Sequence, residues 1–115
     1  MTFGGTFDWQ VTRRFHVGGI GTTFDAVEAM RRQLACELGP YGIRVLTLRT
    51  SGLPETVPTG FDGYEKLQSW LVGQTLTGRA AMLADVGNLA VFGASDWART
   101  VTGAAINMTA GAVLD

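Results

Sequence analysis

The chain has 115 residues, enough for one domain or part of one. Hydrophobic residues make up 46% and charged residues 17%, so some apolar surface is left over for a partner, another subunit or a further segment. A net charge of −1 and a pI of about 5.7 do not favour a nucleic-acid binder, which needs clustered basic charge.

Residues 1–19 carry Gly4, Gly5, Gly18 and Gly19 among scattered aromatics. "MTF" reads as the end of a strand and the rest as loop. No long apolar run is present, so neither a signal peptide nor a membrane-spanning helix is expected. His16 stands in this loop with no acid or nucleophile at a diagnostic spacing. Arg13-Arg14 and Arg31-Arg32 read as solvated pairs.

From Thr22 the pattern changes. Val27, Met30, Leu34 and Leu38 recur at helical spacing and predict an apolar face on a helix over Thr23–Leu38. Glu28, Arg31, Arg32 and Glu37 fall mostly off that face. Thr22 is the expected N-cap, with Asp25 three residues on in an acidic variant of the capping box and near the positive end of the helix dipole. Gly39 is expected in the left-handed position after the helix, and Pro40 stops continuation. Cys36 is the single cysteine, which excludes an internal disulfide and fits a reducing cytoplasm. Its setting, "QLACELG", suggests a buried small hydrophobe. With one His and one Cys, no metal-ligand spacing exists.

"IRVLTL", Ile43 to Leu48, is short, β-branched and nearly continuously apolar, as expected of a strand buried on both faces of a parallel sheet. "TSGLPETVPTG" reads as loop from its glycines and prolines. A second helix is predicted over Gly63–Gln74, with Tyr64, Leu67 and Leu71 on one side and Trp70 beside them. Tyr41 reads as a surface turn residue and Tyr64 as packing. "LTGRAAML" is expected to be loop, with Arg79 able to pair with Asp85 or with a segment outside this chain. A third helix is predicted over Asp85–Ser95, with Val86, Leu89, Ala90 and Phe92 as its apolar set. Asp62, Glu65, Asp85 and Asp96 suit helix starts or surface better than a paired-carboxylate site. A turn at Gly103 precedes a short strand over Ala105–Met108. The order helix, strand, helix, helix, strand is the closing part of an α/β pattern with a parallel sheet. Two buried strands need neighbours on their edges, and this chain supplies almost none.

The glycines of "GGIGTTFDAVEAM" (residues 18–30) invite a phosphate-loop reading. That mechanism needs a strand, a glycine turn and a helix whose free N–H groups face the pyrophosphate. "RRFHV" is a poor strand, and glycines at 18, 19 and 21 do not fit G-x-G-x-x-G. Arg49 and Thr50 stand where a ribose-binding acid would follow the next strand. The glycines read instead as a flexible lead into a helix.

The longer blocks carry more. "AVEAMRRQLACELGPYGIRVLTL" resembles the active-site helix and following strand of the short-chain dehydrogenase/reductase family. "GRAAMLADVGNLAVFGASDWARTVTGAAINMTAG" resembles that family's last helix and last strand. The resemblance covers about Gly18 to Gly111 and implies a Rossmann-like doubly wound parallel sheet. Residues 1–115 would form a single partial domain matching its C-terminal half, with three main helices and two to three strands.

The resemblance also places the family's Tyr-x-x-x-Lys pair at Ile20 and Phe24. The phenol serves the family as proton donor or acceptor, and the ammonium lowers its pKa and holds the ribose. Ile20 and Phe24 carry no titratable proton, so no catalytic residue is assigned. The family serine would fall near Phe7, beside Thr6. The family's Pro-Gly turn falls at Thr50-Ser51, and the loop after it touches the nicotinamide end. By resemblance alone, Ser51, Gly52 and Thr56 are the candidate cofactor contacts. The next region covers the substrate in the family, so Tyr64 and Trp70, with Leu67 and Leu71, are candidate pocket residues. The family's Asp-Gly-Gly corresponds to Thr109, Ala110 and Gly111.

Two expectations follow from the resemblance. In the first, the chain is a truncated or degenerate family relative without oxidoreductase activity alone, serving as an oligomerisation or binding module. It then binds no cofactor or metal by itself, and its partner is a second copy or a chain that completes the sheet. In the second, it is the C-terminal half of an NAD(P)-dependent oxidoreductase acting on an alcohol or carbonyl, completed by a missing segment or partner chain. Neither nucleic acid nor membrane is an expected partner.

Overall fold

The structure, a computed structural model, describes residues 1–5, 13 and 18–115. Three short strands form a parallel sheet in the order β1 (Thr2–Gly5), β2 (Leu46–Thr50), β3 (Ala104–Asn107). Thr2 pairs with Thr47 and Gly5 with Thr50 on one side, and Leu46 with Ala104 and Arg49 with Asn107 on the other. Parallel neighbours need crossover connections, and helices supply them. Helix α1 (Ile20–Leu38) lies between β1 and β2, while α2 (Tyr64–Gly73) and α3 (Leu83–Ala94) lie between β2 and β3. The expected α/β architecture is therefore present, with a third strand from "MTF". No helix among the described residues is long and apolar enough to cross a membrane.

The core is the central strand and the residue before it, together with Ala80, Ala81 and Ala98. Val45, Leu46, Thr47 and Leu48 are buried, the last two completely. Successive side chains of a strand point to opposite faces. Leu46 accordingly meets Gly93 of α3, while Thr47 lies against Gly4 and on the side of α1. Gly93 is close to both Met1 and Leu46, so a glycine there lets α3 approach the sheet.

Four details differ from the sequence reading. The ladder runs Leu46–Thr50, not Ile43–Leu48. Ile43 is 48% exposed. Residues 43–45 are held by loop contacts instead, with Val45 N–H donating to Thr102 Oγ1 at 3.0 Å. Hydrophobicity marks burial, whereas ladder pairing carries the polar Arg49 and Thr50 into the strand.

Helix α1 begins at Ile20 behind Gly19, not behind Thr22. The Thr23 hydroxyl donates back to Gly19 O at 3.0 Å, and Asp25 lies beyond the first turn. At the other end, Gly39 is helical and Gly42 takes the left-handed conformation at φ 74°. A 3₁₀ turn over Gly39–Tyr41 delays the reversal by one short element.

The inward face of α1 is the third difference. Phe24 packs on Gly5, Glu28 lies near Gly4, Arg31 donates to Gly103 O, and Ala35 is close to Gly103. Arg31 is buried at 5% exposure, whereas Met30 is 50% exposed. The face is rotated from the apolar stripe, because two opposite charges that satisfy each other can be buried in place of hydrocarbon. Cys36 is the fourth: it is exposed rather than buried.

Arg44 fixes the far end of α3. Its guanidinium donates to the carbonyls of Gly93 (2.7 Å), Ala98 (3.0 Å), Ala94 (3.2 Å) and Ser95 (3.3 Å). These include carbonyls left without partners where the helix ends, and a cation suits that end of the dipole.

Candidate functional site at the carboxyl edge of the sheet

In open α/β sheets ligands bind beyond the carboxyl ends of the strands. Here that edge is built from Gly5, Thr50 and Asn107, the first turns of α1 and the loop after β2. The Phe24 ring lies on Gly5 so closely that a Cβ there would sit 2.7 Å from it. Position 24 thus stands at the end of β1, filled by hydrocarbon. Ile20, one turn earlier, is 48% exposed and has no proton to exchange. Phe7, Thr6 and His16 lie outside the described residues.

Of the candidate cofactor contacts, Thr56 is engaged internally. A 3₁₀ turn over Pro54–Thr56 follows β2. The Thr56 hydroxyl donates to Leu53 O at 2.8 Å within that turn. Gly52 has no room for a Cβ because Leu71 of α2 occupies the space. Ser51 is half-buried beside it. Glu55 Oε2 accepts the Leu83 N–H at 2.5 Å, and Asp85 Oδ2 accepts the Met82 N–H at 2.9 Å. Both carboxylates satisfy donors at the start of α3. Phe24 thus stands where the family carries an ammonium, and the Thr56 hydroxyl, Glu55 and Asp85 are hydrogen-bonded within the chain.

Tyr64 and Trp70 are both half-buried on α2. The Tyr64 hydroxyl reaches Pro54 O at 3.5 Å. Six residues separate the two aromatics, which puts them on different sides of a 3.6-residue helix. The structure brings Gly52 to Leu71 and Tyr64 to Pro54. Replacing Gly52 with valine is expected to force the Leu71 side chain to repack against α2, an overpacking cost of about 1 kcal/mol. Faster amide hydrogen exchange across residues 57–74, with β2 protection unchanged, would be the measurement.

The cluster beneath this edge was not visible in the sequence. Glu28 Oε2 bonds Arg31 Nη2 at 2.9 Å and lies 3.6 Å from Arg49 Nη2. Arg49 also pairs with Asp115. Burial opposes ionisation of Glu28. The Thr47 hydroxyl, then Arg31 and Arg49, outweigh it and hold the carboxyl below its ordinary range. Its buried Oε1 has no hydrogen-bond partner of good geometry among the described residues, and the Thr47 hydroxyl also lies 2.8 Å from Thr2 Oγ1. The available sequence signal was the i, i+3 spacing of Glu28 and Arg31 on the same side as Phe24 and Ala35. Arg79 forms no ion pair with Asp85; among the described residues the ion pairs are those of Glu28 and Asp115. At the end of β3, Thr109 is fully buried and its N–H and hydroxyl both donate to Asn107 Oδ1. Ala110 and Gly111 follow at positive φ.

Comparison with known proteins agrees with this geometry. Residues 18–112 match the family described as enoyl-(acyl carrier protein) reductase. The NADH enoyl-(acyl-carrier-protein) reductase of Haemophilus influenzae is 31% identical over 86 residues, covering 75% of this chain and 33% of the relative. The crystal structure of the NADH enoyl-(acyl-carrier-protein) reductase of Aquifex aeolicus superposes with a TM-score of 0.74. It is 24% identical and covers 96% of this chain and 42% of that one. A 3-oxoacyl-(acyl-carrier-protein) reductase of Brucella melitensis, solved with bound NAD, gives 0.68 at 26% identity, covering 80% and 32%. The chain spans about a third of the length of the curated relatives it matches. Its strand order, helix placement and matched blocks place it in the short-chain dehydrogenase/reductase family, and within that in the enoyl-(acyl carrier protein) reductase group.

Proposed function

We propose that this chain is an assembly or binding module of the short-chain dehydrogenase/reductase type, without oxidoreductase activity by itself. The observation that carries the reading is Phe24 on Gly5. General acid–base chemistry needs a group whose pKa can be matched to the working pH. Neither Phe24 nor Ile20 offers one at the end of β1. Titrating the purified chain with NADH and NADPH, following nicotinamide fluorescence, tests this. No saturable binding below about 100 μM is expected, an affinity that a built nucleotide site readily exceeds.

The same reading makes the chain non-monomeric. Within the three-stranded sheet, β1 and β3 each have one edge unpaired among the described residues, and unpaired edges are templates for another chain. Ile20, Met30, Val91 and Trp97 add exposed apolar surface on α1, α3 and the turn after it, Trp97 being 89% exposed. A dimer or larger species is expected by light scattering at micromolar concentration; a clean monomer would count against assembly.

A second reading is favoured by the relatives, one named for NADH and one solved with NAD. In it, this chain is the C-terminal part of an NAD(P)-dependent oxidoreductase for an alcohol or carbonyl, and a further segment or chain supplies the nucleotide half. Saturable cofactor binding by the chain alone would shift the conclusion to that reading.

A further inference from the structure

A cleft of about 520 Å³ lies on the α3 side of the molecule. Its walls are the stretch before α3, one face of α3 and the segment leaving β3. The volume falls in the range of small-molecule sites. Leu89, Phe92 and Met108 give it an apolar wall, and Phe92 is 41% exposed. Thr77, Arg79, Asp85, Asn88 and Asn107 supply the polar groups, the Asn107 amide being committed to Val113 O and Asp115. Asp85 is already committed to the Met82 N–H. Arg79 has no ion-pair partner, and neither Arg79 nor Asn88 has a side-chain hydrogen bond, among the described residues. The cleft therefore holds one uncommitted guanidinium and one uncommitted amide beside exposed hydrocarbon.

We propose that this cleft binds a small monocarboxylate with a compact apolar body. A guanidinium offers two parallel N–H donors matched to a carboxylate, and the Asn88 amide can add a third. The apolar body would cover Leu89, Phe92 and Met108. A monoanion fits better than a phosphate dianion, because Asp85 in the cleft and Glu55 at the start of α3 repel added negative charge. Nothing in this assignment depends on nicotinamide chemistry at the carboxyl edge.

Benzoate is the probe, titrated into the isotope-labelled chain and followed by NMR. Shifts at Leu89, Phe92 and Met108 are expected, with a Kd on the order of 1 mM for a ligand of this size. Benzamide, of the same shape without the charge, should bind about fivefold more weakly or worse, and Arg79→Gln should weaken benzoate as much. Arg79 is exposed, so unchanged β2 signals will show that the variant is folded. Absence of shifts at these residues up to about 10 mM benzoate would overturn the proposal. So would equal binding by Arg79→Gln or by benzamide. Inorganic phosphate matching benzoate would overturn the role given to the apolar wall.

Discussion

Truncating Leu48 to alanine is expected to destabilise the chain by about 3 kcal/mol, within the 2–5 kcal/mol typical of buried leucines. Leu48 lies in the central strand with no exposed surface. Both flanking strands pair with β2, so the sheet has little freedom to collapse into the space left behind. The loss combines transfer of the removed carbons with the cavity they vacate. Domains of this size are stable by only about 5–15 kcal/mol, so the substitution removes a large part of the margin. A urea midpoint lowered with an unchanged slope is the expected signature. Leu114, 74% exposed, is the control: its alanine variant should stay within about 0.5 kcal/mol of the parent. Equal effects at the two positions would mean that β2 is not the core.

Glu28→Ala is the second large effect. Removing one member of a buried ion pair leaves the other charge uncompensated, at a cost of about 3–5 kcal/mol. Arg31 is the charge so exposed, with Arg49 losing its second partner. A pH dependence accompanies the loss. The folded-state pKa of Glu28 is depressed from its ordinary 4.5. Its stabilisation is therefore complete above the unfolded value and disappears as pH falls through the lower folded value. Glu28→Gln keeps the shape and removes the titration. Its deficit relative to the parent should be largest near neutrality and shrink on acidification below about 4.5. Parallel pH profiles for the two chains would show that the cluster does not act as an ionised unit.

How the two faces of the sheet differ explains why these effects are distinct. Leu46 meets the glycine of α3, where hydrocarbon and close approach do the packing. Thr47 and Arg49 meet α1, where Glu28 and Arg31 replace an apolar stripe. A hydrophobic pattern reports the first kind of face directly. It misreads the second, because each inward charge looks like a solvent residue until its partner from another element is in place.

By itself the sequence determined the α/β order, a buried parallel strand in the region Ile43–Leu48, three helices, and the absence of a proton-transferring side chain at positions 20 and 24. These follow from local spacing, side-chain chemistry and family-like blocks, all carried within short stretches of chain. Only the tertiary structure decided which way α1 turns, that Phe24 closes over Gly5, that Gly52 yields its space to Leu71, and that Arg79 stands unpaired among the described residues. Each of those rests on residues far apart in sequence. A helix can bury a Glu28–Arg31 pair only where Thr47 and Arg49 wait across the gap, and no single segment encodes that meeting.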